Sequence, residues 1–306
     1  MNVTISGFYD EITPMLKGQI AVMKELGEHY MCPRLIDGKN IANFTLEEFK
    51  ANVYPVLQEN DIHFSSIGSP IGKIDIDDEA GYEKQKKQLT ELVKIAQLME
   101  CKYIRVFSFF YGNRDPYSIT DKVIEKMRGF LEIAKDTGVT LIHENEKKIY
   151  GDVPDRVMNV YNALHSEGLE LCYDASNYVQ CDVDPTEAFD MLVDKVVYFH
   201  VKDCSKYKVE VPLGTGLGNY EHIFSVLKQR GYTGFFTLEP HTAKYSKLKM
   251  PIYLIPCMPL ILNRFYKAFR QIDRDMGRKL LQKASTKEVF LWQYNNLKKF
   301  IEKVGL

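Results

Sequence analysis

The stretch Thr140-Leu-Ile-His-Glu144 is the first of four short segments that decide the fold, because each is an apolar run that carries a carboxylate or an imidazole near its end. The other three are Leu171-Cys-Tyr-Asp174, Val196-Val-Tyr-Phe-His-Val201 and Phe235-Phe-Thr-Leu-Glu239. Short runs rich in β-branched and aromatic residues predict buried strands. The four segments therefore predict consecutive strands whose polar side chains meet at one rim.

Four similar runs come earlier in the chain, and stretches of helical periodicity separate all the runs from one another. The earlier runs are Val3–Ser6, Tyr30–Ile36, Ile62–Ser66 and Tyr103–Ser108. Alternating strands and helices are typical of βα units around a parallel sheet, and eight such units close a barrel. The sequence therefore predicts the α/β class and a (β/α)8 TIM barrel.

The chain offers no linker or low-complexity segment at which a second domain could begin. Barrels of this kind commonly use about 250 residues as one domain. We therefore expect one domain over residues 1–306, with the barrel strands within residues 3–239. Because 67 residues follow Glu239, more than one closing helix needs, we predict an extended helical C-terminal segment over residues 240–306 that acts as a cap. Thr45, Asp184 and Ser285 stand where they can cap helices.

The overall composition narrows the class of partner. Forty Lys and Arg residues face 41 Asp and Glu residues, which leaves no basic excess to neutralise a nucleic acid backbone. Six cysteines without a Cys-x-x-Cys spacing favour reduced thiols. The N-terminal residues lack the pattern of a signal peptide. We therefore expect a cytoplasmic protein with no nucleic acid partner.

The most apolar stretch is Met250–Leu262, and it raises the question of a membrane. It is shorter than the roughly 20 residues of a membrane-spanning helix, and Pro251, Pro256 and Pro259 interrupt it. We therefore predict no membrane partner. Two interpretations of residues 250–263 stay open: a lid over a pocket, or a contact between copies of the chain in a homo-oligomer.

Active sites of such barrels lie at the carboxyl ends of the strands. The candidates there are Glu144, Asp174, His200 and Glu239. Taken singly, each is more simply a helix cap or a solvated loop residue. Together, three carboxylates and one imidazole at one rim would repel each other unless a cation neutralised them. We therefore predict one divalent metal ion. Mn²⁺ is our first expectation, with Mg²⁺, Co²⁺ or Zn²⁺ also compatible, because this ligand set by itself does not choose.

Seven short motifs follow one another along the barrel from about residue 1 to residue 241. They are Gly7-Phe-Tyr-Asp-Glu-Ile12, Asp37-Gly-Lys-Asn40, Ser69-Pro-Ile-Gly-Lys-Ile74, Glu144-Asn-Glu146, His200-Val-Lys-Asp203, Pro212-Leu-Gly-Thr-Gly216 and Leu238-Glu-Pro-His241. In their order and placement they resemble the xylose-isomerase-like TIM-barrel sugar phosphate isomerase/epimerase family.

The resemblance implies that Glu144, Asp174, His200 and Glu239 hold the metal and that the two glutamates stand on opposite faces of a small polyhydroxylated substrate. It implies an isomerase or epimerase that removes a proton beside a carbonyl, through a cis-enediolate, from a sugar, keto-sugar or cyclic polyol. Two alternatives stay open. One is a lyase on the same scaffold, either an inosose-type dehydratase or an enzyme that cleaves C-glycosides; the other is a sugar-binding protein without catalysis.

Four residues are candidates for substrate contacts. Asn177 stands where the epimerase branch often has a histidine, so contacts should differ there. His200-Val-Lys-Asp203 is more similar to the branch that contains inosose dehydratase, and Lys202 is either a donor to a substrate hydroxyl or a solvated loop residue. Lys73 has the same two interpretations, and His241 is expected to lie over the pocket.

Three further features have both a functional and a structural interpretation. The run Gly214-Thr-Gly-Leu-Gly218 lies in the loop after the seventh strand, where barrels often bind phosphate, but it could be an ordinary turn. Strand alternation points Arg105 into the barrel, where a structural ion pair with an internal acid is expected more than a substrate contact. The same alternation points His143 away from the centre, as a packing residue or as one that supports a metal ligand from behind.

Overall fold

A computed structural model describes residues 3–241 and 243–306. Each of the eight predicted runs overlaps a strand, and the fifth and seventh have the predicted bounds. The strands are β1 Thr4–Gly7, β2 Tyr30–Met31, β3 His63–Phe64, β4 Tyr103–Val106, β5 Thr140–Glu144, β6 Leu169–Asp174, β7 Val196–Val201 and β8 Phe235–Leu238.

Six of these strands form one parallel sheet in the order β1-β8-β7-β6-β5-β4. β2 and β3 pair with each other in parallel. Single contacts complete the circle: the Cys32 amide donates to the Gly7 carbonyl at 3.0 Å, and Ile67 forms a parallel bridge with Ile104. The predicted (β/α)8 TIM barrel is therefore confirmed.

The second barrel strand is much shorter than predicted: Tyr30–Ile36 was expected to be one strand, and only Tyr30–Met31 forms the barrel strand. Pro33 has no amide hydrogen to donate to a neighbouring strand. Beyond it, Leu35–Ile36 pairs in the antiparallel direction with Lys39–Asn40. The chain therefore leaves the barrel wall at Pro33 and turns over its rim.

Thirteen α-helices occur in the described ranges, 3–241 and 243–306. They are α1 Leu16–Leu26, α2 Leu46–Asn52, α3 Tyr54–Glu59, α4 Glu79–Leu98, α5 Thr120–Ala134, α6 Pro154–Leu164, α7 Ala175–Gln180, α8 Pro185–Leu192, α9 Tyr220–Gln229, α10 Ala243–Leu254, α11 Met258–Ile261, α12 Asn263–Asp275 and α13 Thr286–Val304. The predicted caps are present: side-chain oxygens of Thr45, Asp184 and Ser285 accept amide hydrogen bonds at the starts of α2, α8 and α13.

The last four helices form the predicted extended C-terminal segment. α13 shares the main core of the barrel, where Phe290 and Leu297 are buried. α10 and α12 form a separate apolar cluster with Ile252 and Phe269 at its centre. Whether residues 240–306 act as a cap on one domain stays a prediction.

The apolar stretch Met250–Leu262 forms the end of α10, which continues through Pro251, and the short helix α11. Leu254, Leu260 and Ile261 are exposed. None of the helices in the described ranges is both long and apolar enough to cross a membrane. The two interpretations of residues 250–263, a lid or a contact between copies, stay predictions.

Candidate metal centre

The barrel brings the four predicted ligand residues together at the carboxyl ends of β5 to β8. Asp174 lies directly opposite His200 in the sheet, and Glu239 follows the last residue of β8. One ligand atom from each of Glu144, Asp174, His200 and Glu239 lies within 4.8 Å of the others, and all four residues are buried. Such a cluster could bind a divalent metal ion; the individual roles of the four residues stay predictions.

The distances within the cluster match those expected around one shared ion. His200 Nδ1 lies 2.9 Å from Oε1 of Glu144 and 3.6 Å from Oε2 of Glu239. Ligand atoms that bind a Mg²⁺-sized ion at about 2.1 Å in octahedral geometry are about 3 Å apart. Within the described ranges, Asp174 Oδ2 is buried and has no hydrogen-bond partner. A buried oxygen in that state is uncommon, and a cation would satisfy it.

Lys202 compensates part of the negative charge. Its Nζ lies 3.0 Å from Asp174 Oδ2, an ion-pair contact without a hydrogen bond, and 3.5 Å from Oε2 of Glu239. Burial disfavours the ammonium ion, but Asp174 and Glu239 outweigh burial and raise the pKa of Lys202 well above its usual value. The side chain is buried, so the solvated-loop interpretation is wrong.

The carboxylates of the cluster differ in how well they are compensated. Burial opposes ionisation of Glu144, yet His200 and Arg105 outweigh it and lower the pKa of that carboxyl. At Asp174, burial outweighs the opposing charge of Lys202, so the pKa of this carboxyl is raised to about 6. Asp174 is therefore the carboxylate that would gain most from a bound cation.

Arg105 and Asn145 hold the ligand residues in place. Arg105 Nη1 donates to Oε2 of Glu144 at 3.0 Å, so the expected ion pair with an internal acid is present. Asn145 donates to the Asp174 carbonyl and accepts from the Asp174 amide, both at 2.9 Å. Asn145 was not recognised in the sequence, although it stands within the motif Glu144-Asn-Glu146.

Two of the other three candidate substrate residues contact the cluster, and the third, Lys73, contacts Glu146. Asn177 Nδ2 is 3.4 Å from Oε1 of Glu144, and its buried Oδ1 has no hydrogen-bond partner within the described ranges. Lys73 donates to Oε2 of Glu146 at 2.9 Å. His241 Nε2 lies 3.3 Å from Oε1 of Glu239. Their contacts with a substrate stay predictions.

A second group of polar side chains adjoins Glu239, and sequence reasoning missed most of it. Arg34 donates to Oε1 of Glu239 at 3.1 Å and to Asp10 at 2.9 Å. Glu11 lies 3.2 Å from His241 Nδ1. Burial raises the pKa of Glu11 to about 7, although the nearby His241 and Arg34 act to lower it. Asp10 and Glu11 belong to the first motif, but neither follows a strand end directly, so no positional signal marked them.

The glycine-rich loop after β7 is a turn held by the protein's own carboxylate. Asp203 accepts hydrogen bonds from the amides of Gly214, Gly216 and Gly218, each at 2.9 Å. A Cβ at Gly216 would come 2.3 Å from Oδ1 of Asp203. The amides that could have bound a phosphate are therefore occupied, and the structural interpretation of this loop holds. His143 is bonded to Ser108 at 2.9 Å and is a packing residue, the first of its two expected roles.

The fold and the cluster define a TIM barrel that could bind a divalent metal ion at the carboxyl ends of its strands. A family model described as the xylose isomerase-like TIM barrel matches residues 20–252, so the chain belongs to that family. Comparison with curated protein sequences gives no significant match.

Solved structures share the fold. An L-ribulose 3-epimerase is 15% identical with a TM-score of 0.67, and the match covers 99% of this chain and 95% of that one. A probable 3-DHS dehydratase from Bacillus anthracis is 17% identical with a TM-score of 0.63, covering 80% and 95%. A xylose isomerase-like barrel from Mycobacterium smegmatis, in complex with magnesium, is 17% identical with a TM-score of 0.62, covering 92% and 97%. At these identities the likeness shows the fold alone.

Proposed function

We propose that the chain is a divalent-metal-dependent isomerase or epimerase acting on a small polyhydroxylated ketose or cyclic keto-polyol. The observation that carries the proposal is the pair of buried glutamates, Glu144 and Glu239, in one cluster with His200 and Asp174. The structurally related L-ribulose 3-epimerase supports this class of reaction.

Glu144, Asp174, His200 and Glu239 would hold the ion, and we propose Mn²⁺. A related barrel was solved with magnesium, which has a similar preference for oxygen ligands. When bound, a divalent ion stabilises the negative charge that develops on a carbonyl oxygen as the neighbouring carbon loses a proton. Asp174 and His200 are proposed as ligands only.

Glu144 and Glu239 are proposed to move the proton. Each carboxylate accepts a hydrogen bond from its own arginine, Glu144 from Arg105 and Glu239 from Arg34, so each is held in one orientation. One glutamate would take the proton from the carbon beside the carbonyl, which gives a cis-enediolate. For inversion, the other glutamate would start protonated and give its own proton to the opposite face of that carbon, while the first glutamate keeps the proton that it removed. For isomerisation, the first glutamate would give its proton to the former carbonyl carbon, and the proton of the neighbouring hydroxyl would pass to the former carbonyl oxygen.

The polar groups around the cluster suit neutral hydroxyls better than a phosphate. Asn177 offers a buried, unpartnered Oδ1 that could accept a hydrogen bond from a hydroxyl, and Lys202 could donate to one. Lys73 is already paired with Glu146, and Asp203 occupies the glycine-loop amides. We therefore propose an unphosphorylated substrate, contacted by Asn177, Lys202, Lys73 and His241.

The lyase alternative is favoured by one specific observation, the buried ammonium group of Lys202. It lies 3.5 Å from Glu239, close enough to protonate a hydroxyl that leaves the carbon next to an enediolate. A related barrel is a probable dehydratase. Loss of water from the substrate, instead of return of the proton, would favour this alternative.

We also propose a cytoplasmic setting and no nucleic acid partner. All six cysteines are unpaired in the structure, which suits a reducing compartment. The balanced charge favours neither DNA nor RNA. A homo-oligomer through residues 250–263 remains a prediction that the mass of the protein in solution would test.

Solvent exchange tests the reaction. The purified chain, loaded with MnCl₂, is incubated with D-allulose, L-ribulose and an inosose in D₂O. Deuterium on the carbon beside the carbonyl, without loss of a group, is the expected result. Glu239→Gln should lower the rate by about 10²- to 10⁴-fold. Glu170→Gln, which changes a half-buried glutamate at the amino end of β6, is the matched control and should not.

Two outcomes would contradict the proposal. An unsaturated product would favour the lyase. Failure of the folded protein to bind Mn²⁺, Mg²⁺, Co²⁺ or Zn²⁺ would overturn the metal centre and would favour the non-catalytic sugar-binding protein. The measurement is elemental analysis after gel filtration, with circular dichroism to confirm that the protein is folded.

A further inference from the structure

We propose that Glu11, Glu239 and His241 form a second divalent-cation site, next to the first and sharing Glu239 with it. The first ion in this inference rests on the proposed function. The second site is argued from its own residues. One ligand atom from each of Glu11, Glu239 and His241 lies within 4.8 Å of the others. The three residues come from the first and last βα units, so only closure of the barrel brings them together.

The two oxygens of Glu239 face different neighbours. Oε2 faces the first cluster, 3.6 Å from His200 Nδ1 and 3.5 Å from Lys202 Nζ. Oε1 faces the other way, 3.3 Å from His241 Nε2 and 3.1 Å from Arg34 Nη1. A carboxylate in this position can bridge two ions, one through each oxygen.

Glu11 provides the independent indication of a ligand. Its side chain is only 4% exposed, yet in the part of the chain that the structure describes neither Oε1 nor Oε2 has a hydrogen-bond partner. His241 Nδ1, at 3.2 Å, and Arg34 Nη2, at 3.9 Å, lie near Oε1, but neither donates a hydrogen bond to it. Burying an ionised carboxylate without a donor is costly, and a directly bound cation would remove that cost.

The backbone at His241 is consistent with a functional constraint. Its φ is 51°, in the left-handed region that side chains other than glycine seldom adopt. This conformation holds the imidazole between Glu11 and Glu239, with Nδ1 3.2 Å from the former. Strain of this kind is often retained at ligand-binding positions.

Two carboxylates and one imidazole suit Mn²⁺, Co²⁺ or Zn²⁺, and three protein ligands leave positions open for water or a substrate hydroxyl. A second ion here would lie on the Glu239 side of the substrate. It would fix Glu239 from the side opposite the first ion. The competing explanation is a protonated His241 that links the two carboxylates with no second ion.

Metal stoichiometry separates these explanations. The full chain is equilibrated with MnCl₂, gel filtered and analysed for manganese by mass spectrometry. We expect about two ions per chain in the natural protein, about one in Glu11→Gln and in His241→Gln, and about two in the matched control Glu170→Gln, at the amino end of β6. Circular dichroism confirms that each variant is folded. Electron paramagnetic resonance should show spin coupling between ions that share a carboxylate, and this coupling should disappear in Glu11→Gln.

Each outcome decides one of the two proposals. One uncoupled ion in the natural protein, unchanged by Glu11→Gln, would overturn the second site and leave the proposed function intact. Two ions in Glu11→Gln would also overturn it, because the second ion would then bind elsewhere. No ion in the folded natural protein would overturn the proposed function itself. Asp174→Asn adds a check, because it should remove the first ion and the spin coupling.

Discussion

The two glutamates of the cluster stand in different surroundings, although both are buried and each accepts a hydrogen bond from an arginine. We call the residues around Glu144, namely Arg105, Asn145 and Asn177, the inner side, and those around Glu239, namely Arg34, Glu11 and His241, the outer side. The Arg105 side chain is 5% exposed, whereas Arg34 is 25% exposed and His241 34%.

The difference indicates where the cluster is fixed and where it is adjustable. On the inner side Glu144 accepts hydrogen bonds from Arg105 and Asn177, and Asn145 holds the backbone of Asp174. On the outer side the carboxylate of Glu11 accepts no hydrogen bond from the described ranges, 3–241 and 243–306. A site that must hold an ion and also admit a substrate benefits from one rigidly held side, here the inner side, and one more accessible side, here the outer side.

The largest expected effect is a difference in the free energy of unfolding between variants of the two arginines, Arg105 and Arg34. Arg105→Ala should lower the free energy of unfolding by about 3 kcal/mol, because it leaves the buried carboxylate of Glu144 without its cation. Arg34→Ala should lower it by about 1 kcal/mol, because water can reach the space that it leaves. Urea denaturation of the metal-free proteins measures both. Equal losses would mean that the inner and outer sides do not differ in rigidity.

A smaller effect tests whether the inner side positions the first ion. Asn145→Ala should weaken binding of the tightest Mn²⁺ by about 10- to 100-fold, because the Asn145 side chain fixes the backbone of Asp174 and residues behind metal ligands typically contribute this much. Calorimetric titration with MnCl₂ gives the affinity. Asn162→Ala, on the exposed face of α6, is the control and should bind as the natural protein does.

The smallest effect is expected at Lys73, a partly exposed residue that pairs with Glu146. Lys73→Met removes the ion pair with Glu146, and because the Lys73 side chain is about one-third exposed, stability should fall by less than about 1 kcal/mol. Thermal unfolding measures this change. If Lys73 contacts the substrate, KM should rise while kcat changes little. A large loss of stability would instead mean that Lys73 is as rigidly held as the residues of the inner side.

Much of the fold was predictable because strands β4 to β8 carry a strong local signal. Thr140–Glu144 and Val196–Val201 have the predicted bounds, since apolar, β-branched runs favour strand wherever they are buried. Tyr30–Ile36 was predicted too long because the pattern does not show where Pro33 diverts the chain to a hairpin. Strand content is local, but the end of a strand depends on its partner.

The glycine-rich loop shows the same limit at the level of chemistry. The sequence offers free amides at Gly214, Gly216 and Gly218, and these equally predict a phosphate site or a turn. Asp203 decides between the two, because the folded chain places its carboxylate against those amides. No spacing rule predicts that contact across more than ten residues.

The amino-acid sequence by itself determined the barrel and the meeting of Glu144, Asp174, His200 and Glu239 at one rim, because strand order and strand polarity are local properties that a parallel barrel converts into proximity. Only the tertiary structure decided that Lys202 is buried beside Asp174, that Glu11 lies beside His241 and that Arg34 contacts Glu239. The contacts of Glu11 and Arg34 join the first two βα units to the last, and they form only when the barrel closes.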